Sequence, residues 1–127
     1  MSYIPKYVMK RMVTEDALKH VPGGVELTIV NQVATLPVDQ IPGNPAEFFT
    51  VKLNGKQFPL ADMEKIVIKV NGKAHPLPKI QEATEIQTGA TLAFFFPLKG
   101  AKAGEELKIE LHVPEINANV ELVRKIY

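Results

Sequence analysis

Val51-Lys52-Leu53-Asn54-Gly55-Lys56-Gln57-Phe58-Pro59-Leu60 and, 17 positions on, Ile68-Lys69-Val70-Asn71-Gly72-Lys73-Ala74-His75-Pro76-Leu77 are two copies of one ten-residue pattern. Six positions are identical: Lys, Asn, Gly, Lys, Pro and Leu. In each copy Asn-Gly lies between alternating apolar residues. A type I′ turn needs positive φ at both central residues, which Asn and Gly tolerate best, so each copy predicts a two-residue β-hairpin. The proline four residues after each glycine cannot donate to a ladder and limits the returning strand. Two hairpins are too few for a solenoid, and the repeat reads as a local duplication.

Working outward, the same period of two recurs along the chain. Residues 25–30 alternate as a half-buried strand, with 32–38 continuing past a bend. Residues 48–53 lead into the first Asn-Gly turn. Residues 61–64 form a short connection of one helical turn, and 65–70 place Ile66, Ile68 and Val70 on one face. A weaker strand is expected at 83–87, then a Thr88-Gly89 turn. Strands follow at 91–96, 106–113 and 120–127, with a turn over 100–104. Upstream, residues 1–13 suit an arm or edge strand. Thr14 offers an N-cap for one or two helical turns through Lys19, stopped by Val21-Pro22-Gly23-Gly24. Residues 37–47 hold Pro37, Pro42, Gly43, Asn44 and Pro45 and read as a turn-rich loop. Eight or nine short strands with frequent turns predict an all-β chain. The expected form is an antiparallel β-sandwich, immunoglobulin-like in architecture, in one domain over 1–127 with the arm at about 1–13. A small barrel is the alternative.

The bulk numbers agree with one globular domain: 127 residues, 46% apolar and 23% charged. Fifteen basic against fourteen acidic residues leave a charge of +1, and no basic stripe points to nucleic acid. Without cysteine there is no disulfide framework, thiolate nucleophile or cysteine-based zinc site. The basic N-terminus lacks the apolar core of a signal peptide, and no run reaches the ~20 apolar residues of a membrane span. The expectation is a soluble, cytoplasmic protein that engages no membrane.

Chemistry-bearing patterns are sparse. His112 alternates with Glu106, Lys108 and Glu110 on a polar face and reads as a surface residue. His75 takes the place of Phe58 in the repeat, a position suited to packing a ring, and His20 follows the capped segment. No pair has metal-site spacing. The Gly100-Ala101-Lys102-Ala103-Gly104 loop is followed by Glu105-Glu106 and a strand rather than by Lys-Ser/Thr and a helix, so it is not a phosphate cradle. The pairs Glu105/Glu106, Glu82/Glu85 and Asp62/Glu64 lie in turns or on polar faces. Ser2, the single serine, makes no triad. No catalytic residue and no bound metal or cofactor is expected in this chain. Two aromatic clusters stand out, Phe48-Phe49 and Phe94-Phe95-Phe96. They read either as core or as anchors of a partner surface.

Glu15-Asp16-Ala17-Leu18-Lys19-His20-Val21 resembles the early Asp-(Ser/Ala)-Leu-(Arg/Lys)-Asn-Val signature of the beta (small) subunit of bacterial C-glycoside deglycosidases, with His20 for the Asn. The strands ending in Asn54-Gly55 and Asn71-Gly72, then Thr91-Leu92 and Lys102-Ala103-Gly104-Glu105-Glu106, extend the resemblance over residues 14 to about 113. Where that family has a Tyr-Arg-Gly-like stretch, this chain reads Gly43-Asn44-Pro45-Ala46-Glu47-Phe48-Phe49, without Arg. The resemblance implies a β-sandwich that pairs with a larger TIM-barrel alpha subunit. That partner would carry a divalent, manganese-like metal and the acid–base groups that cleave the C–C bond of a 3-oxo-C-glycoside. This chain would then be the accessory subunit of a carbon–carbon lyase in a hetero-oligomer. Its partner contacts would come from Asn44, Phe48 and Phe49 in the 37–49 loop and from Phe94, Phe95 and Phe96. The competing expectation is a free-standing sandwich that self-associates, or binds a carbohydrate or protein as an adaptor.

Overall fold

A computed structural model describes residues 2–3, 8, 11–32, 35, 50–83, 85–113 and 118–127. In chain order its strands are β1 (Ser2–Tyr3), β2 (Leu18–Val21), β3 (Gly24–Val30), β4 (Thr50–Leu53), β5 (Lys56–Gln57), β6 (Val67–Val70), β7 (Lys73–Pro76), β8 (Thr91–Pro97), β9 (Glu106–Val113) and β10 (Ala118–Lys125). They form two sheets, β1-β10-β9-β4-β5 and β2-β3-β8-β6-β7. Every pairing is antiparallel except that of β1 with β10. No helix among the described residues is long and apolar enough to cross a membrane.

Both Asn-Gly dipeptides make the predicted turns. Asn54 and Gly55 have φ of 53° and 80°, and Asn71 and Gly72 of 50° and 89°. Each asparagine also has a second task. The Asn54 N–H donates to the Lys108 carbonyl at 2.8 Å while its Oδ1 accepts the Lys108 N–H at 3.0 Å. Asn71 repeats this with the Thr91 carbonyl and N–H, both at 2.9 Å. The carboxamide thus extends a backbone ladder past the end of the strand. Asn71→Gly keeps the left-handed turn but loses the Oδ1 acceptor, and is expected to cost about 1 kcal/mol. Asn71→Ala adds the left-handed penalty and is expected to cost about 2 kcal/mol or more. Denaturant melts of the two variants separate the contributions.

The two copies of the repeat enter different sheets: β4–β5 joins β9, and β6–β7 joins β8. β5 and β7 are the outermost strands, so the missing donor of Pro76 faces no ladder partner. The alternation puts Val25, Leu27 and Ile29 of β3, Leu92, Phe94 and Phe96 of β8, and Leu107, Ile109 and Leu111 of β9 in the core between the sheets.

Three local expectations are corrected. Of residues 1–13, expected as an arm or edge strand, Ser2–Tyr3 do form an edge strand, but Val8, Arg11 and Met12 are helical, and Met12 and Val13 are buried in the core. Residues 14–19 do not make a helix. The Thr14 hydroxyl donates to the Asp16 carboxylate at 2.7 Å, which lowers the Asp16 pKa, and a turn closes from the Ala17 N–H to the Thr14 carbonyl at 3.2 Å. Leu18 then starts β2, because ladder bonds to β3 satisfy its backbone and the core takes its side chain. Residues 83–87 do not make a regular strand. A 3₁₀ segment with a kink at Lys79 runs over Leu77–Ala83, and Leu77, Ile80 and Ile86 are buried. The Asn31 carboxamide donates to the carbonyls of Ile86 and Gln87 at 3.4 and 3.2 Å, holding this segment at the end of β3.

The final residues join the sheets. His20 donates its backbone N–H to the Tyr127 carbonyl at 2.7 Å, and Tyr127 returns its own to the Leu18 carbonyl at 2.9 Å. The open edge of β2 is therefore occupied. At the opposite edge of that sheet, Lys73 and Pro76 discourage further strand pairing.

Candidate functional site

β8 is the middle strand of its sheet, between β3 and β6. Its three consecutive phenylalanines therefore divide between two faces. Phe94 and Phe96 point into the core, 7% and 0% exposed. Their rings stack at 6.2 Å and 6°, and Phe96 meets the ring of Phe58 edge-on, also at 6.2 Å. Neither ring is presented to a partner by the folded domain. Phe95 lies on the outer face, half-buried. Its Cζ is 3.8 Å from where a Cβ on Gly23 would stand. Asn44, Phe48 and Phe49 lie outside the described residues.

Register places Phe95 in a cross-strand row with Val67 and Pro76 on one side and Glu26 and Lys19 on the other. In the next row Lys69 faces Ala93. The Lys69 ammonium reaches the Glu26 carboxylate at 3.5 Å, so the pair crosses β8 diagonally between Ala93 and Phe95. The outer face of this sheet thus sets an apolar row of Phe95, Val67 and Pro76 beside an ion pair that crosses its middle strand.

The other sheet has a polar outer face. Thr50, His112 and Asn119 form one row, and Lys52, Glu110 and Glu121 the next. These side chains line a depression of about 350 Å³. The Oδ1 of Asn119 accepts from the His112 Nδ1–H at 2.8 Å, which leaves His112 Nε2 as an acceptor in the neutral ring. Lys108 contacts Glu110 at 3.2 Å and Glu121 at 3.4 Å; hydrogen bonds to these carboxylates raise its pKa. These rows can hydrogen-bond a polar ligand, and Glu110 and Glu121 are already paired with Lys108. His112 is half-buried here rather than freely solvated. His75 is buried, 3% exposed, in the position where the first repeat buries Phe58. Among the described residues, no group of three or more His, Asp or Glu is placed to hold a metal ion. In the 100–104 loop the Lys102 N–H donates to the Glu105 carboxylate at 2.9 Å, so an acid occupies what would have been a phosphate donor.

A third surface has no counterpart in the sequence reading. At one end of the sandwich, a cleft of about 570 Å³ opens between the β4–β5 hairpin and the residues after β8. Leu53, Phe58 and Leu98 contribute apolar walls, and Lys56, Lys65 and Lys99 stand at its lining. Those lysines come from β5 and from two separate turns, and no spacing in the chain signals that they meet.

Compared with protein-family models, curated proteins and solved structures, the chain matches none.

Proposed function

We propose that the chain is a small accessory subunit that docks on a larger chain through the outer face of the β2-β3-β8-β6-β7 sheet. The observation that carries this reading is Phe95. A half-buried aromatic ring on the outer face of a middle strand, flanked by Val67 and with the Lys69–Glu26 pair beside it, combines the apolar anchor and neighbouring charges of a protein interface. The sheet edges favour a face over an edge: one is occupied by Tyr127 and the other carries Pro76 and Lys73.

The strand order supports an immunoglobulin-like reading of the sandwich. β2, β3, β8 and β6 neighbour one another as strands A, B, E and D do in immunoglobulin domains, and β4, β9 and β10 as C, F and G. The motifs similar to those of C-glycoside deglycosidase beta subunits suggest the partner's chemistry: a TIM-barrel alpha subunit with a divalent, manganese-like metal, cleaving 3-oxo-C-glycosides. The catalytic groups would then belong to the partner.

The test combines capture with a point variant. Tagged full-length chain from native lysate should carry an equimolar, metal-containing larger chain by native mass spectrometry, and the purified pair should cleave a 3-oxo-C-glycoside. Phe95→Lys places a cation opposite Glu26, which suits the sheet, but removes the anchor. It is expected to weaken the pair at least ~30-fold with little change in melting temperature. Undiminished pairing would overturn the proposed surface. Recovery of the chain only with itself would instead favour the self-associating sandwich.

A further inference from the structure

We infer that the end cleft binds a small amphipathic anion, an apolar body ending in a carboxylate. Its volume, about 570 Å³, lies within the range of small-molecule sites. The interior is apolar and fixed in place before any ligand arrives. Phe58 is buried, its ring rests edge-on against Phe96, and its N–H donates to the Val51 carbonyl at 2.9 Å. The adjoining turn is held by the two bonds between Asn54 and Lys108. Ligand binding therefore needs little reordering of the walls.

The charge at the lining is one-sided. Asp62 is taken up by Lys65 at 3.3 Å. Lys56 and Lys99 are exposed and have no ion pair among the described residues. Two free ammonium groups on flexible stems beside an apolar pocket complement a ligand with a greasy body and an anionic head. An acidic peptide would use the lysines but leave the apolar walls wet, and a neutral lipid would use the walls but leave the amines idle. The cleft adjoins the Phe95 surface at Gly23, but its ligand is read through Lys56 and Lys99 and the docking surface through Phe95, so either inference can fail alone.

The test titrates decanoate, below its micelle concentration, into the full chain followed by amide NMR. The expected result is saturable binding at one site, with shifts concentrated at Leu53, Phe58 and Leu98. The double variant Lys56→Gln/Lys99→Gln, whose side chains make no ion pair among the described residues, should keep its melting temperature and bind about tenfold more weakly. Decanol should also bind about tenfold more weakly than decanoate. Absence of saturable shifts, unchanged affinity in the double variant, or equal affinity for decanol would each overturn the inference. A glutamate-rich peptide binding more tightly than decanoate through the same lysines would overturn it in favour of a peptide site.

Discussion

Gly24→Ala is expected to destabilise the domain by on the order of 4 kcal/mol, near the upper limit for a single substitution. Gly24 is the first residue of β3 and pairs with Pro97. A Cβ on it would drive into the Phe96 carbonyl oxygen and stand 2.8 Å from the Leu98 nitrogen. Both are backbone atoms, so no side-chain rotation relieves the clash; β3 and β8 have to part. That seam joins β2 and β3 to the rest of their sheet. Urea unfolding followed by circular dichroism reads the effect as a lowered midpoint. A loss under ~1 kcal/mol would show that β8 can shift outward at little cost.

Phe96→Ala is the second large effect, about 3–5 kcal/mol. The ring is fully buried and touches aromatics from both sheets: Phe94 on its own strand and Phe58 beyond β5. Removing it forfeits the transfer energy of a large apolar group and leaves a cavity bounded by strands that cannot collapse freely. A double-mutant cycle with Phe58→Ala should show a coupling of about 1 kcal/mol for the edge-on pair. Additive losses would mean that the contact adds nothing beyond burial.

The local patterns were legible wherever the physics is local. Asn54-Gly55 and Asn71-Gly72 announce their turns because few residues adopt left-handed φ, and the alternation over β3, β8 and β9 follows from strands with one face in the core. The pattern was less reliable where two local readings compete. Thr14 and the following carboxylates suit a helix start, but the hydroxyl bonded Asp16 and the strand partner of Leu18 decided the outcome. Residues 83–87 alternate weakly, and the bonds from Asn31, more than fifty positions earlier, set their path.

The candidate surfaces divide in the same way. That one or more of Phe94, Phe95 and Phe96 must face away from the core follows from the pleat. Which of them does so depends on the phase of β8 against β3 and β6, a tertiary quantity. Lys56 and Lys99 come together with Phe58 and Leu98 only because the first hairpin and β8 enter different sheets. By itself the sequence determined the turns, the strand period and the all-β class, since these rest on dihedral preference and on the alternation of apolar residues. Tertiary structure alone decided the placement of the two repeat copies in separate sheets, the single outward ring of β8 and the cleft at the end of the sandwich. Those depend on which strands pair across long stretches of chain, and burial summed over the whole core selects that pairing.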